Sequence, residues 1–210
     1  MINSPVYLLL KLNLKEVFNM EGKAMAGKRS FTTVNMVMMA LFAAVTCVLA
    51  PLAVPIGPVP ISLTNLVIYI SLYVLGWKQG TITYIVYLLL GLAGLPVFSG
   101  FESGIGKFAG PTGGYLAGFI LMSVICGIFI EKWNGTTLVH ITLNMVGMIL
   151  GTAVAYAFGT AWFCISTGTG VMAALTVCVF PFIIGDLIKM VVASAVGPVT
   201  GRQIRKMGGK

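Results

Sequence analysis

Long apolar runs alternate with short polar or proline- and glycine-rich stretches along most of the chain. Six such runs lie at residues 31–53, 61–75, 80–95, 115–130, 138–160 and 171–196. A helix needs about 20 apolar residues to cross a bilayer, and the first, fifth and sixth runs reach that length. We expect the three shorter runs to be buried within a bundle or to end around a cavity, since irregular backbone at membrane depth usually lines a site. The pattern predicts six transmembrane helices.

The composition predicts an integral membrane protein. Of the 210 residues, 58% are hydrophobic and only 9% are charged, and the mean hydropathy is +1.01. Soluble domains carry about 25% charged residues, so this chain has too few to cover a water-facing surface. A soluble enzyme, a coiled coil and a disordered chain are excluded, and the expected fold class is an all-α membrane protein.

The formal net charge is +8, and the predicted topology explains this excess of basic residues. With both termini in the cytoplasm, six spans place 11 of the 13 Lys and Arg residues inside, and Lys107 alone outside. Cytoplasmic segments are enriched in Lys and Arg, so we expect this orientation and no nucleic-acid binding. The predicted parts are a cytoplasmic extension (1–30), a multi-pass membrane domain (31–200) and a basic cytoplasmic tail (201–210).

The longest predicted external loop, residues 97–114, has the composition of a lid. It holds six glycines, at positions 100, 104, 106, 110, 113 and 114. Glycine lets backbone N–H groups approach a ligand closely, and such a loop can open and close. The most specific string is Gly110-Pro-Thr-Gly-Gly-Tyr115, and Lys107 is the only cation of the loop.

Two ionisable residues, Asp186 and Lys189, lie three residues apart on one face of the last run. Ionisable groups inside a membrane are costly, and they often mark functional sites. They either neutralise each other and lock the bundle, or form an anchor with one acceptor and one cationic donor. Pro181 can kink the same helix and free a carbonyl near that level. Asn65, beside Thr64, either forms an interhelical hydrogen bond or contributes to a site.

Enzymatic and metal chemistry has little support in the sequence. The four cysteines are widely spaced, and the single histidine, His140, has no neighbouring metal ligand. The sequence contains no P-loop, no HExxH motif and no nucleophile adjacent to a base. We therefore predict no catalytic residue, no metal site and no cofactor in this chain, and we expect that any energy the protein uses comes from a partner.

Small residues recur at four-residue spacing in two runs, which allows helices to approach closely. In the fifth run they are Gly147, Gly151, Ala155 and Gly159, and we expect internal packing there. In the first run they are Ala40 and Ala44, and this pair is the predicted contact for a partner subunit.

Over residues 31–200 the chain resembles the BioY family, the biotin-binding S subunits of energy-coupling-factor (ECF) transporters. The segments that carry the resemblance are Pro55-Ile-Gly-Pro-Val-Pro60 before Asn65, Gly110-Pro-Thr-Gly-Gly-Tyr115, and Gly185-Asp186-Leu-Ile-Lys189. The resemblance implies a six-helix S-subunit fold in the bacterial plasma membrane, with an external pocket closed by loops. It also implies two kinds of partner: a transmembrane coupling subunit, and two ATPase subunits that use the ATP. Ala40 and Ala44 are similar to the AxxxA motif with which S subunits contact the coupling subunit.

The resemblance further implies a biotin site. Asp186 would accept from the ureido N–H groups with Asn65 complementing it, and Lys189 or Lys107 would meet the carboxylate. Tyr115 and Phe98 would cover the rings, and Thr64 and Gly113 complete the predicted set. Glu102 stands in a region where some relatives have a basic residue, which Lys107 can replace. The alternatives are an S subunit for another vitamin and a membrane-embedded enzyme.

Overall fold

The structure, a computed structural model, describes residues 33–54, 59–132 and 138–208, and within these ranges it is helical. The helices are α1 (Thr33–Leu49), α2 (Thr64–Leu75), α3 (Trp77–Leu92), α4 (Gly104–Ala109), α5 (Gly113–Lys132), α6 (Leu138–Thr167), α7 (Val171–Cys178) and α8 (Phe180–Gly208). The chain divides into two units, and the first, residues 1–36, contributes only the start of α1 to the described residues. The all-α class is confirmed, whereas the predicted extension (1–30) and most of the proline-rich turn (55–58) lie outside the described residues.

Three helices in the described part of the chain are long and apolar enough to cross a membrane. They are α5, α6 and residues 180–204 of α8, with mean hydropathies of 2.1, 1.8 and 1.8. The apolar helices α1 and α2 are shorter, with 17 and 12 residues. The number of spans and the side of each terminus stay predictions.

Helix α2 explains one of the short apolar runs. Ten of its 12 residues are buried, so the helix is enclosed by neighbours instead of presenting one apolar face. It ends at Gly76, whose φ of 81° lies in the left-handed region that favours glycine, and α3 begins at the next residue. The predicted third run, 80–95, therefore begins three residues too late and also ends three residues too late.

The small-residue stripe of α6 packs internally, as predicted. A Cβ added at Gly147 would overlap the side chain of Phe129, and one at Gly159 would overlap the ring of Tyr115. Ala155 is fully buried. Because Phe129 and Tyr115 belong to α5, the stripe brings the backbones of α5 and α6 close together.

The last apolar run differs from the prediction at both ends. It is interrupted at Val179, which separates α7 from α8, and Pro181 occupies the first turn of α8, where its missing N–H leaves no helical bond unmade. The predicted run ends at residue 196, just before Gly197 and Pro198, but α8 continues through both to Gly208. Gly197 packs so closely on Tyr73 of α2 that a Cβ would overlap that ring. Packing against a neighbour can hold a membrane helix together across Pro and Gly.

Candidate ligand-binding site

A cavity lies between the segments that precede α2 and α5 and the junction where α7 ends and α8 begins. The space between its walls, including the part open to solvent at its mouth, is about 620 Å³. Its walls are largely apolar and aromatic, and the polar groups are concentrated in two places. This is the usual composition of a site that orients a small ligand.

The first polar group is the Asp186 cluster, defined here as Asn65, Tyr156, Asp186 and Lys189. One carboxylate oxygen of Asp186, Oδ1, accepts from Asn65 Nδ2 at 2.8 Å and from Lys189 Nζ at 2.9 Å. The other oxygen, Oδ2, accepts from the Tyr156 hydroxyl at 2.5 Å. Lys189 Nζ also donates to the backbone carbonyl of Ser62 at 2.7 Å. The cluster therefore ties α2, α6 and α8 together.

The Asp186 cluster keeps spare hydrogen-bonding capacity on both of its charged groups. A carboxylate offers about four acceptor positions, and contacts with the described residues use three of them, which leaves one position on Oδ2. An ammonium group has three donors, and Lys189 uses two of them within the same part of the chain. The side chains are only 8% and 10% exposed for Asp186 and Lys189. A ligand that donates to the acid and accepts from the base would complete both groups.

The break between α7 and α8 also shapes the cavity. Phe182 N donates to Val179 O at 2.9 Å, and the Cys178 carbonyl instead accepts from the Tyr115 hydroxyl at 3.3 Å. That hydroxyl is also 3.1 Å from Thr160 Oγ1. A freed carbonyl near this level was predicted from Pro181, and the break that frees it lies at Val179. It fixes the ring of Tyr115 in the cavity wall.

Phe98 forms part of the same wall. It is fully buried, and its ring packs edge-to-face on Tyr87 at 5.8 Å between centroids. Gly91 leaves the room for this ring, since a Cβ there would overlap it. Such aromatic packing is directional, so the ring of Phe98 presents a fixed surface to the cavity.

The second polar group is the Lys107 pair, defined here as Glu102 and Lys107. Lys107 lies in α4, within the predicted lid, and its Nζ is 3.0 Å from Glu102 Oε2. The Lys107 side chain is 15% exposed and the Glu102 side chain 56% exposed. Lys107 lines the cavity, whereas Glu102 is not among the lining residues.

Most of the predicted ligand-binding residues come together in this cavity. Those that line it are Thr64, Asn65, Phe98, Lys107, Tyr115, Asp186 and Lys189. Gly113 does not line it. A Cβ at Gly113 would overlap the Phe108 carbonyl oxygen, so this glycine permits a close backbone approach, and its neighbour Thr112 faces the cavity instead. The part of these residues in binding stays a prediction.

Sequence reasoning missed several polar residues of the cavity, among them Tyr156 and Thr112. Tyr156 stands in an apolar run, and the only sequence signal for it is that a buried phenol usually has a hydrogen-bond partner. Thr112 lies inside the glycine-rich string, and its Oγ1 is buried with no hydrogen-bond partner among the described residues. In the same ranges, no group of three His, Cys, Asp or Glu residues could hold a metal ion.

The predicted partner contact lies on the surface of α1. Ala40 and Ala44 are exposed, while Ala43 and Thr46, between and beyond them, are buried. The small-residue face of α1 is thus turned away from the rest of the described chain.

The fold and the cavity define a helical membrane protein that binds a small molecule. Residues 22–206 match the model of the BioY family. Among curated relatives, the chain is 38% identical to the biotin transporter BioY of Thermotoga maritima, over 74% of this chain and 89% of the relative. It is 34% identical to the biotin transporter BioY2 of Lactococcus lactis, over 78% and 87%.

A solved structure gives the same result. The chain is similar to the S-component for biotin from an ECF-type ABC transporter, with a TM-score of 0.74 and 29% identity. The match covers 84% of this chain and 95% of that one. The chain belongs to the BioY family, and the resemblance seen in the sequence is confirmed.

Proposed function

We propose that this protein captures biotin and serves as the substrate-binding subunit of an ECF-type biotin uptake system. The observation that carries the proposal is the Asp186 cluster, a buried acid and base with one free acceptor position and one free donor inside an aromatic-walled cavity. The relatives that share this sequence are named as biotin transporters, and none of those described above is named as an enzyme.

The chemistry of biotin complements this cavity. Its ureido ring carries two N–H donors and a carbonyl. One N–H pairs with the free position on Asp186 Oδ2, and the carbonyl accepts from the free donor of Lys189. Its thioether ring is apolar and fits between Phe98 and Tyr115, which are both buried in the wall. Hydrogen bonds to ionised groups are stronger than neutral ones, so the ureido group is the part of biotin held most firmly.

The transport assembly is the finer part of the proposal. Six spans with both termini in the cytoplasm satisfy the positive-inside bias of the sequence. The exposed pair Ala40 and Ala44 on α1 suits close approach by a transmembrane coupling subunit. Two ATPase subunits would bind to that subunit and use the ATP. The setting would be the bacterial plasma membrane.

Titration of the purified protein with biotin tests the binding proposal. We expect saturable binding, with Asp186→Asn weakening it at least tenfold, because the substitution removes the charge that strengthens hydrogen bonds to the ligand. Glu131→Gln is the matched control, since Glu131 is exposed at the far end of α5. Equal affinity in the wild type and in Asp186→Asn would remove Asp186 from the site.

Competition experiments test the substrate. Desthiobiotin should compete with biotin, and unrelated vitamins should not, because they lack the cyclic urea. Biotin recovered from the complex should be chemically unchanged by mass spectrometry. Stronger competition by another vitamin would assign the chain to that substrate instead.

A further inference from the structure

The two lysines of the cavity differ in how replaceable their partners are. Lys189 Nζ holds a buried carboxylate and a backbone carbonyl, at 2.9 and 2.7 Å. An anion that displaced Asp186 from Lys189 would leave the buried carboxylate of Asp186 without its counter-charge, which is costly. Among the residues that the structure describes, Lys107 has one carboxylate partner, Glu102, and that side chain is more than half exposed. A carboxylate that enters the cavity can therefore displace Glu102 far more easily than Asp186.

Glu102 approaches Lys107 from outside the cavity. Lys107 lines the cavity and is 15% exposed, so its ammonium group has little access to water and needs a counter-charge. The exposed carboxylate of Glu102 supplies it, yet exposed ion pairs contribute little and are easily broken. Once the Glu102 side chain turns into solvent, an anion inside the cavity can take its place.

The backbone at Glu102 allows this exchange without unfolding the loop. The Glu102 carbonyl accepts from Phe98 N at 3.0 Å, which closes a tight turn. Within that turn, Gly100 and Phe101 have φ values of 78° and 61°, in the left-handed region. The main chain is thus held by its own hydrogen bond and turn geometry. The side chain of Glu102 can leave Lys107 while the buried ring of Phe98 stays in the wall.

We infer that Glu102 occupies, in the ligand-free protein, the position at Lys107 that the carboxylate of the ligand takes on binding. This inference rests on the proposed function, and it assigns the carboxylate end of biotin to Lys107 rather than Lys189. Glu102 is then an internal competitor. A ligand with an anionic tail replaces it, and a neutral ligand of the same shape leaves the Glu102–Lys107 pair intact. Glu102 weakens the binding of the anionic ligand and leaves that of the neutral one unchanged.

The test compares biotin with its primary amide, which has the same rings and chain but no charge. Glu102→Gln should tighten biotin binding about two- to fivefold, the range expected from one exposed ion pair, and leave the affinity for the amide unchanged. The gain for biotin should shrink at high ionic strength, because salt screens exposed charges. In a Lys107→Met background, Glu102→Gln should have no effect on biotin. Glu131→Gln serves as the matched control.

Each result decides a different point. Tighter binding of biotin alone, lost in the Lys107→Met background, supports the exchange. Weaker binding of biotin by Glu102→Gln overturns it and makes Glu102 a residue that positions Lys107. An equal change for biotin and the amide, or no change for either, also overturns it while the biotin proposal stands. If the wild-type protein binds neither ligand, the proposed function fails and this inference fails with it.

Discussion

The Asp186 cluster and the Lys107 pair each join an acid to a lysine in one cavity, yet they are built differently. Asn65 and Asp186 are 121 residues apart in the chain, and their hydrogen bond is buried between helices. Glu102 and Lys107 are five residues apart in one loop, and Glu102 is largely exposed. The first arrangement is fixed by the packing of the bundle, and the second can change locally. Under the binding proposal, we therefore expect the ring end of the ligand to meet a preformed surface and its tail to meet an adaptable one.

The largest expected effect is that of removing Lys189, and the matching removal of Lys107 should have a much smaller one. Lys189→Met leaves the carboxylate of Asp186 buried without its counter-charge, which should destabilise the protein by about 3–5 kcal/mol. Lys107→Met breaks only the exposed pair and should cost less than about 1 kcal/mol. Thermal unfolding of both variants in detergent, followed by circular dichroism, measures the difference.

A double variant separates charge from packing in this comparison. Asp186→Asn together with Lys189→Met removes both buried charges and should recover part of the lost stability, since buried pairs are costly chiefly when one partner remains. Equal losses for Lys189→Met and Lys107→Met would contradict the difference between the two groups.

The two groups also differ in how far the sequence could predict them. Asp186 and Lys189 are ionisable residues three positions apart in an apolar run. The free-energy cost of placing such residues in a membrane was enough to predict a site there. Their partners could not be read in the same way. The Ser62 contact is a backbone carbonyl, which no residue type reveals, and Tyr156 was one aromatic residue among many until the packing of α6 was known. The ion pair of Lys107 with Glu102 depends on a turn with two left-handed residues, one of them Phe101, which local sequence does not predict.

The fold shows the same division between composition and packing. Apolar runs located every long helix, because hydrophobicity alone decides what enters a membrane. Their ends were less predictable. Pro198 reads as a helix terminator, yet α8 passes through it while packed on α2. Pro181 suggested a kink, but the break lies at Val179, two residues earlier. Tertiary contacts decide such cases.

Tyr156→Phe should have an intermediate effect that is confined to the Asp186 cluster. The variant keeps the ring in the cavity wall and removes the hydroxyl that donates to Asp186 Oδ2. We expect the free energy of unfolding to fall by about 1–2 kcal/mol. This value lies between those for a hydrogen bond to a charged group and for an average hydrogen bond between membrane helices. Binding of biotin and of its amide should weaken by the same factor, because the change acts on the ring end. A loss for biotin alone would mean that Tyr156 acts on the carboxylate.

The smallest expected effect concerns Thr112, which precedes α5 and lines the same cavity as the two groups. The Oγ1 of Thr112 is buried and has no hydrogen-bond partner among the described residues. An unpaired buried hydroxyl is unfavourable, so Thr112→Val should leave the ligand-free protein as stable as the wild type or slightly more stable. If the ligand supplies the missing partner, the same variant should bind biotin about two- to tenfold more weakly, the range for one hydrogen bond.

The opposite signs of those two effects identify a binding role for Thr112, since a residue that only packs would change stability and affinity in the same direction. Thr142→Val is the matched control, because Thr142 is an exposed threonine on α6 whose hydroxyl donates to Leu138 O within its own helix. Biotin titration and thermal unfolding of both variants give the comparison. An unchanged affinity in Thr112→Val would mean that this hydroxyl stays unpaired in the complex, and that the polar contacts to biotin come from the Asp186 cluster and the Lys107 pair.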